Sequence, residues 1–322
     1  MSETTEENFF EEALKKISRG DISDYDAFLH TIEKKAKVDD TNLLSYWHCI
    51  TLDGNGRDRT KDFVENLFCD ITDYVIPRSR INEAFKRDAE KSTTRYTAKL
   101  ANEARTTFVD IAKSGELGEL ILFILAEKLL KLPQVICKMN LKTSRNMHFH
   151  GADGVYLGTT DSGGLALYWG ESKIHRNLSN AVKECFESLS GLLTSQGGIL
   201  SADNRDFILL KQFIDVDDKN LETALIGYLD RDNPNFNKLE IRAVAFVGFQ
   251  NAHCYPQTPK TKTIQDVENT LLTKIPRFKK IIKTATIKNS LETFTIHFFC
   301  IPFKSVNDLR NEFHKCLGLP KV

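Results

Sequence analysis

The chain has 322 residues, with 44 Lys plus Arg against 44 Asp plus Glu; it is long enough for one large or two smaller cores, and no global field draws it to nucleic acid or membrane. Seven scattered cysteines without a Cys-x-x-Cys pair argue against a disulfide framework or a zinc ribbon. The acidic N-terminus and the shortness of the longest apolar run, Leu120–Ala126, argue against a leader or a membrane span, so a soluble, cytoplasmic protein is expected.

In chain order, residues 6–37 carry apolar side chains at helical spacings (Phe9, Phe10, Leu14, Ile17, then Phe28, Leu29, Ile32), broken near Gly20, and residues 1–40 read as an N-terminal helical extension. After the polar break Asp39-Asp40-Thr41-Asn42, Tyr46–Leu52 reads as a strand ending in the turn Asp53-Gly54-Asn55-Gly56. No Gly-Lys-Ser/Thr follows those glycines, so a plain turn is expected rather than a phosphate loop. Helical periodicity over 58–76 stops at Pro77. A further helix is expected over 78–105, with eight basic residues against four acidic ones, a face that is either solvated or in touch with phosphate.

This lead-in, 41–110, delivers the chain to an expected core over 111–250. Gly115-Glu116-Leu117-Gly118-Glu119 opens a helix to about Lys131 that is apolar nearly all round and hence buried, with Glu119 at its entrance. Strands are expected at Val135–Met139, Asp153–Leu157 and Leu165–Ile174, the last two joined by the turn Thr160-Asp161-Ser162-Gly163-Gly164. Val182, Phe186, Leu189 and Leu193 then mark a helix over 178–193. A polar insertion over about 195–240, rich in Asp and Asn, is long enough to suggest a functional lobe. A strand at Ile241–Phe249 follows, and residues 251–322 add a helix near 265–274, a basic run, a strand over Phe294–Ile301 and an amphipathic helix over Val306–Leu317.

Along the strand Leu165–Ile174, residues two apart share a face, so Glu171 and Lys173 project together and Ser172 faces the other way. Charges on an apolar strand cost desolvation free energy unless they pair or a metal completes the site. Glu-x-Lys alone also fits an ordinary ion pair on an edge strand. Asp153, 18 residues upstream at the start of the neighbouring strand, adds the second carboxylate. Asp153, Glu171 and the Ser172 main-chain carbonyl are hard oxygen donors suited to Mg²⁺, with Mn²⁺ as the alternative ion; Mg²⁺ keeps several waters and needs few protein ligands. Lys173 would orient or deprotonate a water, or stabilise charge on phosphorus, and the sequence leaves these roles open.

This pattern resembles the PD-(D/E)xK nuclease superfamily. More closely, Gly115–Glu119, His148-Phe149-His150-Gly151-Ala152-Asp153-Gly154 and Trp169-Gly170-Glu171-Ser172-Lys173 resemble HamA, the nuclease family of the Hachiman anti-phage defence system, over about residues 41–320. Ala152 stands where the superfamily name has proline. The resemblance implies an α/β restriction-endonuclease-like fold with an αβββαβ core and a mixed sheet, a nuclease domain over 41–322, Mg²⁺-dependent cleavage of DNA, and a HamB-like helicase partner. It also implies a helix glutamate that holds a second ion or a metal-bound water: Glu119, with Glu116 as second choice.

Among other candidates, His148-x-His150 with His175 and Cys137 lacks zinc-site spacing, which leaves a structural role or a contact to substrate, with His150 as a second-choice site residue. Ser162 lacks the Gly-x-Ser-x-Gly elbow. Lys138, Lys142 and Arg145, with Lys279, Lys280 and Lys283 from the basic run, are candidates for a phosphate-tracking groove, the alternative being solvated loops. Two rivals stand beside a DNA nuclease: a silent scaffold or DNA-binding subunit with the same fold, and a nuclease directed at RNA.

Overall fold

The computed structural model describes residues 3–111, 115–137, 151–194, 208 and 210–320. Its strands are β1 (Leu29–Lys37), β2 (Leu43–Ile50), β3 (Gly154–Thr159), β4 (Leu165–His175), β5 (Glu240–Gln250) and β6 (Ile296–Phe303). They form one mixed sheet in the order β1-β2-β6-β5-β4-β3. β2, β6, β5 and β4 run parallel, and β1 and β3 pair antiparallel at the two ends. Because the inner strands are covered on both faces, they are nearly continuous apolar runs, as parallel strands must be.

The helices among the described residues are α1 (Glu3–Ile17), α2 (Thr60–Leu67), α3 (Ile71–Val75), α4 (Arg78–Glu90), α5 (Arg95–Ile111), α6 (Glu116–Ile124), α7 (Leu178–Leu193), α8 (Lys219–Tyr228), α9 (Ile264–Lys288) and α10 (Val306–Cys316). One face of the sheet, with Ala166, Tyr168 and Ile174 of β4, packs on α6 through Leu117, Leu120 and Ile121. On the other face Ala243, Ala245 and Val247 of β5 meet Val182, Phe186 and Leu189 of α7. Leu165, Leu167 and Trp169 of β4 share a third cluster with Phe10 and Leu14 of α1 and Leu221 and Leu225 of α8. The N-terminal helix and the described part of the insertion are thus built around one small core.

Four expectations about elements are corrected. Residues 29–37, expected as helix, are the edge strand β1; the apolar spacing of Phe28, Leu29 and Ile32 is too short to separate the two periods, and the hairpin turn at Asp39-Asp40 closes β1 onto β2. The expected single helix over 78–105 is α4 and α5. Ser92 turns the chain with φ +48°, and the Asp88 carboxylate caps α5 by accepting the N–H groups of Tyr96 (2.8 Å) and Thr97 (2.9 Å). The expected strand at Val135–Met139 is, over its described residues, an extended segment bridged to β3: Glu127 takes the Gln134 N–H (3.1 Å), and the Val135 N–H donates to Val155 (3.0 Å). The helix expected near 265–274 does not stop there but runs on through the basic run to Lys288 as α9, whose buried Val267, Leu271, Ile275 and Ile282 keep one stripe across Pro276.

Candidate active site

The site is assembled where β3 begins beside the middle of β4. Gly154 pairs with Gly170, and one residue earlier the Asp153 N–H donates to the Gly170 carbonyl (2.7 Å), an offset that aims the aspartate past Glu171. Its Oδ2 accepts the Ser172 N–H (2.8 Å) and the Ser172 hydroxyl (2.7 Å). The N–H and C=O of one residue in a strand point to the same side, so the Ser172 carbonyl is directed to the edge where Asp153 lies. On the α7 side Glu171, 2% exposed, accepts from the Lys173 ammonium. Burial acts to lower the Lys173 pKa, but Glu171 and then Asp153 outweigh it, and the net shift is upward. Lys173 is therefore held as a cation.

Glu116 and Glu119 enter from the other face on the first turn of α6, and both are buried. α6 lies close against β4 because residue 118 is glycine: a Cβ there would stand 2.9 Å from the Ser172 hydroxyl. Glu119 accepts a hydrogen bond from the Tyr74 hydroxyl (2.9 Å). Burial, then Glu119, push the Tyr74 phenol well above its usual range, with Asp153 a smaller contributor. Asp153 also contributes to the upward shift of Cys185, whose thiol is raised first by burial and then by Glu171. Asp153 is thus felt electrostatically on both sides of the sheet, at Tyr74 and at Cys185. Asp153 is bonded to Ser172 and Glu171 to Lys173 on one stretch of β4, while Glu119 and Glu116 lie on the first turn of α6, whose Gly118 stands against Ser172. Among the described residues no group of three or more His, Cys, Asp and Glu side chains is placed to hold a metal. Two carboxylates with one backbone carbonyl remain a donor set that suits Mg²⁺.

A family model of HamA matches residues 24–317. The chain belongs to the HamA family. The match takes in β1, beginning before residue 41, where the resemblance read from the sequence starts. Membership points to a component of Hachiman antiviral defence. No curated protein matches the chain. No helix among the described residues is long and apolar enough to cross a membrane.

In this HamA-family chain the basic candidates fare differently from the acidic ones. Lys138, Lys142, Arg145, His148 and His150 lie outside the described residues. On α9, Lys279 is paired with Glu33 (2.8 Å) and Lys283 with Asp40, whereas Lys280 is exposed beside α7. His175 pairs with Glu184 (2.9 Å) at the surface. Sequence reasoning missed Tyr74, 45 residues from Glu119. Only its place as an apolar-face tyrosine in a helical run was visible there, and nothing local marks the carboxylate it meets.

Proposed function

We propose that this chain is the metal-dependent DNA nuclease of a helicase-coupled antiviral complex. The observation that carries the reading is that Asp153, bonded to Ser172, sits at the β4 edge where β3 stops pairing, against the same strand segment that carries the Glu171–Lys173 pair. Asp153, Glu171 and the Ser172 carbonyl would hold Mg²⁺ or Mn²⁺, with Glu119, or Glu116 as second choice, behind them. When bound, the ion supplies Lewis-acid compensation of phosphate charge and a more acidic water. Lys173, kept protonated by its two carboxylate neighbours, suits orientation of the attacking water and stabilisation of charge on the phosphate oxygens better than removal of a proton. Asp153, by taking both the N–H and the hydroxyl of Ser172, fixes the strand edge that carries the other donors.

The test is incubation of the purified chain, with and without its helicase partner and ATP, with linear and circular DNA in Mg²⁺ or EDTA. Glu171→Ala and Lys173→Ala are each expected to lower cleavage by about 100-fold or more with unchanged circular dichroism. Undiminished cleavage by either variant overturns the assignment, and faster cutting of RNA offered in parallel moves the substrate to RNA. The engagement of Asp153 by Ser172 and of Glu171 by Lys173 favours one second reading, a scaffold subunit that keeps the fold without cleaving. Metal-independent DNA binding with no product in any arm would establish it.

A further inference from the structure

We propose that the cleft between α1, β1 and the starts of β4, β5 and β6 is a binding site for a single strand of nucleic acid, distinct from the candidate cleavage site. The cleft measures about 1040 Å³ and is lined by Lys15, Lys35, Lys37, Lys131 and Arg242 against Glu11 and Asp161. Lys131 is tied to Asp21 (2.7 Å) and Arg242 to Glu240 (2.7 Å). Lys15, Lys35 and Lys37 make no ion pair among the described residues and are exposed, so their charge is available to a ligand.

The backbone is bent to present one of them. Between Glu33↔Trp47 and Ala36↔Ser45 the chain advances three residues on β1 against two on β2, which makes a bulge. Lys35 sits in it with φ +57°, a conformation that costs a side-chain-bearing residue about 1 kcal/mol or more and costs glycine nothing. Keeping a lysine there argues that the side chain is used. At the floor His297, half-buried, shares a hydrogen bond with the Tyr46 hydroxyl (2.8 Å) and lies 5.8 Å from the Tyr168 ring. Burial, then Arg242 and Lys35, hold its pKa down to about 4, so the ring is neutral near pH 7. A neutral ring under a cationic rim suits an unpaired strand, whose bases can turn inward while its phosphates meet lysines; a duplex offers only phosphates to such a cleft. Tyr168 is three residues from Glu171 on β4, about 10 Å along the strand and on the opposite face of the sheet, so the cleft is a separate place from the candidate cleavage site.

The proposal rests on the nucleic-acid reading of the chain but not on its metal chemistry. The full chain is titrated into fluorescein-labelled dT15 in EDTA and followed by anisotropy over a range of salt. Lys35→Glu with Lys37→Glu is expected to weaken binding about tenfold or more and to lower the salt slope by about 1.4. Lys35→Gly keeps the bulge without strain and is expected to melt no lower than the parent while still binding less tightly. Unchanged affinity and slope in these variants, absence of any binding by the parent, or displacement of the oligonucleotide by dTMP as effectively as by unlabelled dT15 would each overturn the proposal. Weakened binding by these variants in a chain that never cleaves would uphold the cleft and sink the nuclease reading instead.

Discussion

Tyr74 donates its hydroxyl proton to Glu119 from inside the core, and both side chains are buried. Removing that oxygen takes a donor from a buried carboxylate, a loss of about 1.5–3 kcal/mol. Tyr74→Phe is therefore expected to lower the urea midpoint of unfolding and, under the role proposed for Glu119 in holding an ion, to raise the Mg²⁺ concentration needed for half-maximal cleavage. An unchanged Mg²⁺ requirement would detach Glu119 from metal binding. Two histidines contribute to the response to acid. Burial, first, and then nearby lysines, arginine or histidine lower the pKa of His48 and His297 from 6.5 to about 4. Between those values the unfolded chain binds protons at these two rings that the folded chain refuses, so their contribution to stability is full above about pH 6.5 and is lost as the pH drops toward 4. Urea unfolding at pH 7 and pH 4.5 is expected to differ by on the order of 2 kcal/mol for each histidine, and His48→Gln with His297→Gln is expected to flatten that acid limb.

At the scale of elements, α9 holds 25 residues in one helix although Pro276 lies inside it. Proline there forfeits a backbone hydrogen bond, and the exposed Pro276→Ala change is expected to raise stability by about 1 kcal/mol or more, read as a higher melting temperature. The sequence displayed α7 fully, since its apolar residues recur at helical spacing and Asn177 caps it by accepting from Ser179 (2.8 Å) and Asn180 (3.3 Å). The ladder between β3 and β4 was equally plain, because a turn rich in glycine separates two apolar runs. Hidden was whatever long-range pairing decides. β1 is a strand because β2 lies beside it, and the close approach of α6 to Ser172 depends on Gly118, whose lack of a side chain matters only once β4 is in place. The Glu171–Lys173 pair was legible from alternation alone. The turning of Asp153 toward Ser172 was not, since it follows from a one-residue offset in the ladder.

Across the whole molecule a buried ionic network ties distant segments together. Glu127 accepts from Arg19 (3.1 Å), Arg78 (3.4 Å) and the Gln134 N–H (3.1 Å); Arg19 also faces Asp73 (3.6 Å), and the Arg78 N–H donates to Asp215 (2.7 Å). Glu127→Gln leaves two guanidinium groups short of an anion and is expected to cost about 3–5 kcal/mol, whereas Glu11→Gln at the exposed surface of α1 is expected to leave the melting temperature unchanged. The segment that presents Glu127 is a π turn, Leu125–Leu129, in which one extra residue fits into the helix. Its neighbour Lys128 reaches a separate pair of acids, Asp24 (2.9 Å) and Asp70 (2.8 Å). Each helical residue turns the chain by about 100°, so the extra one sets the rotational phase of all that follows it. Excising Ala126 alone would regularise the helix and remove no ionised group, yet it would rotate the Pro133–Val135 segment out of step with β3. Residue count, here, is as much a determinant of the architecture as residue chemistry.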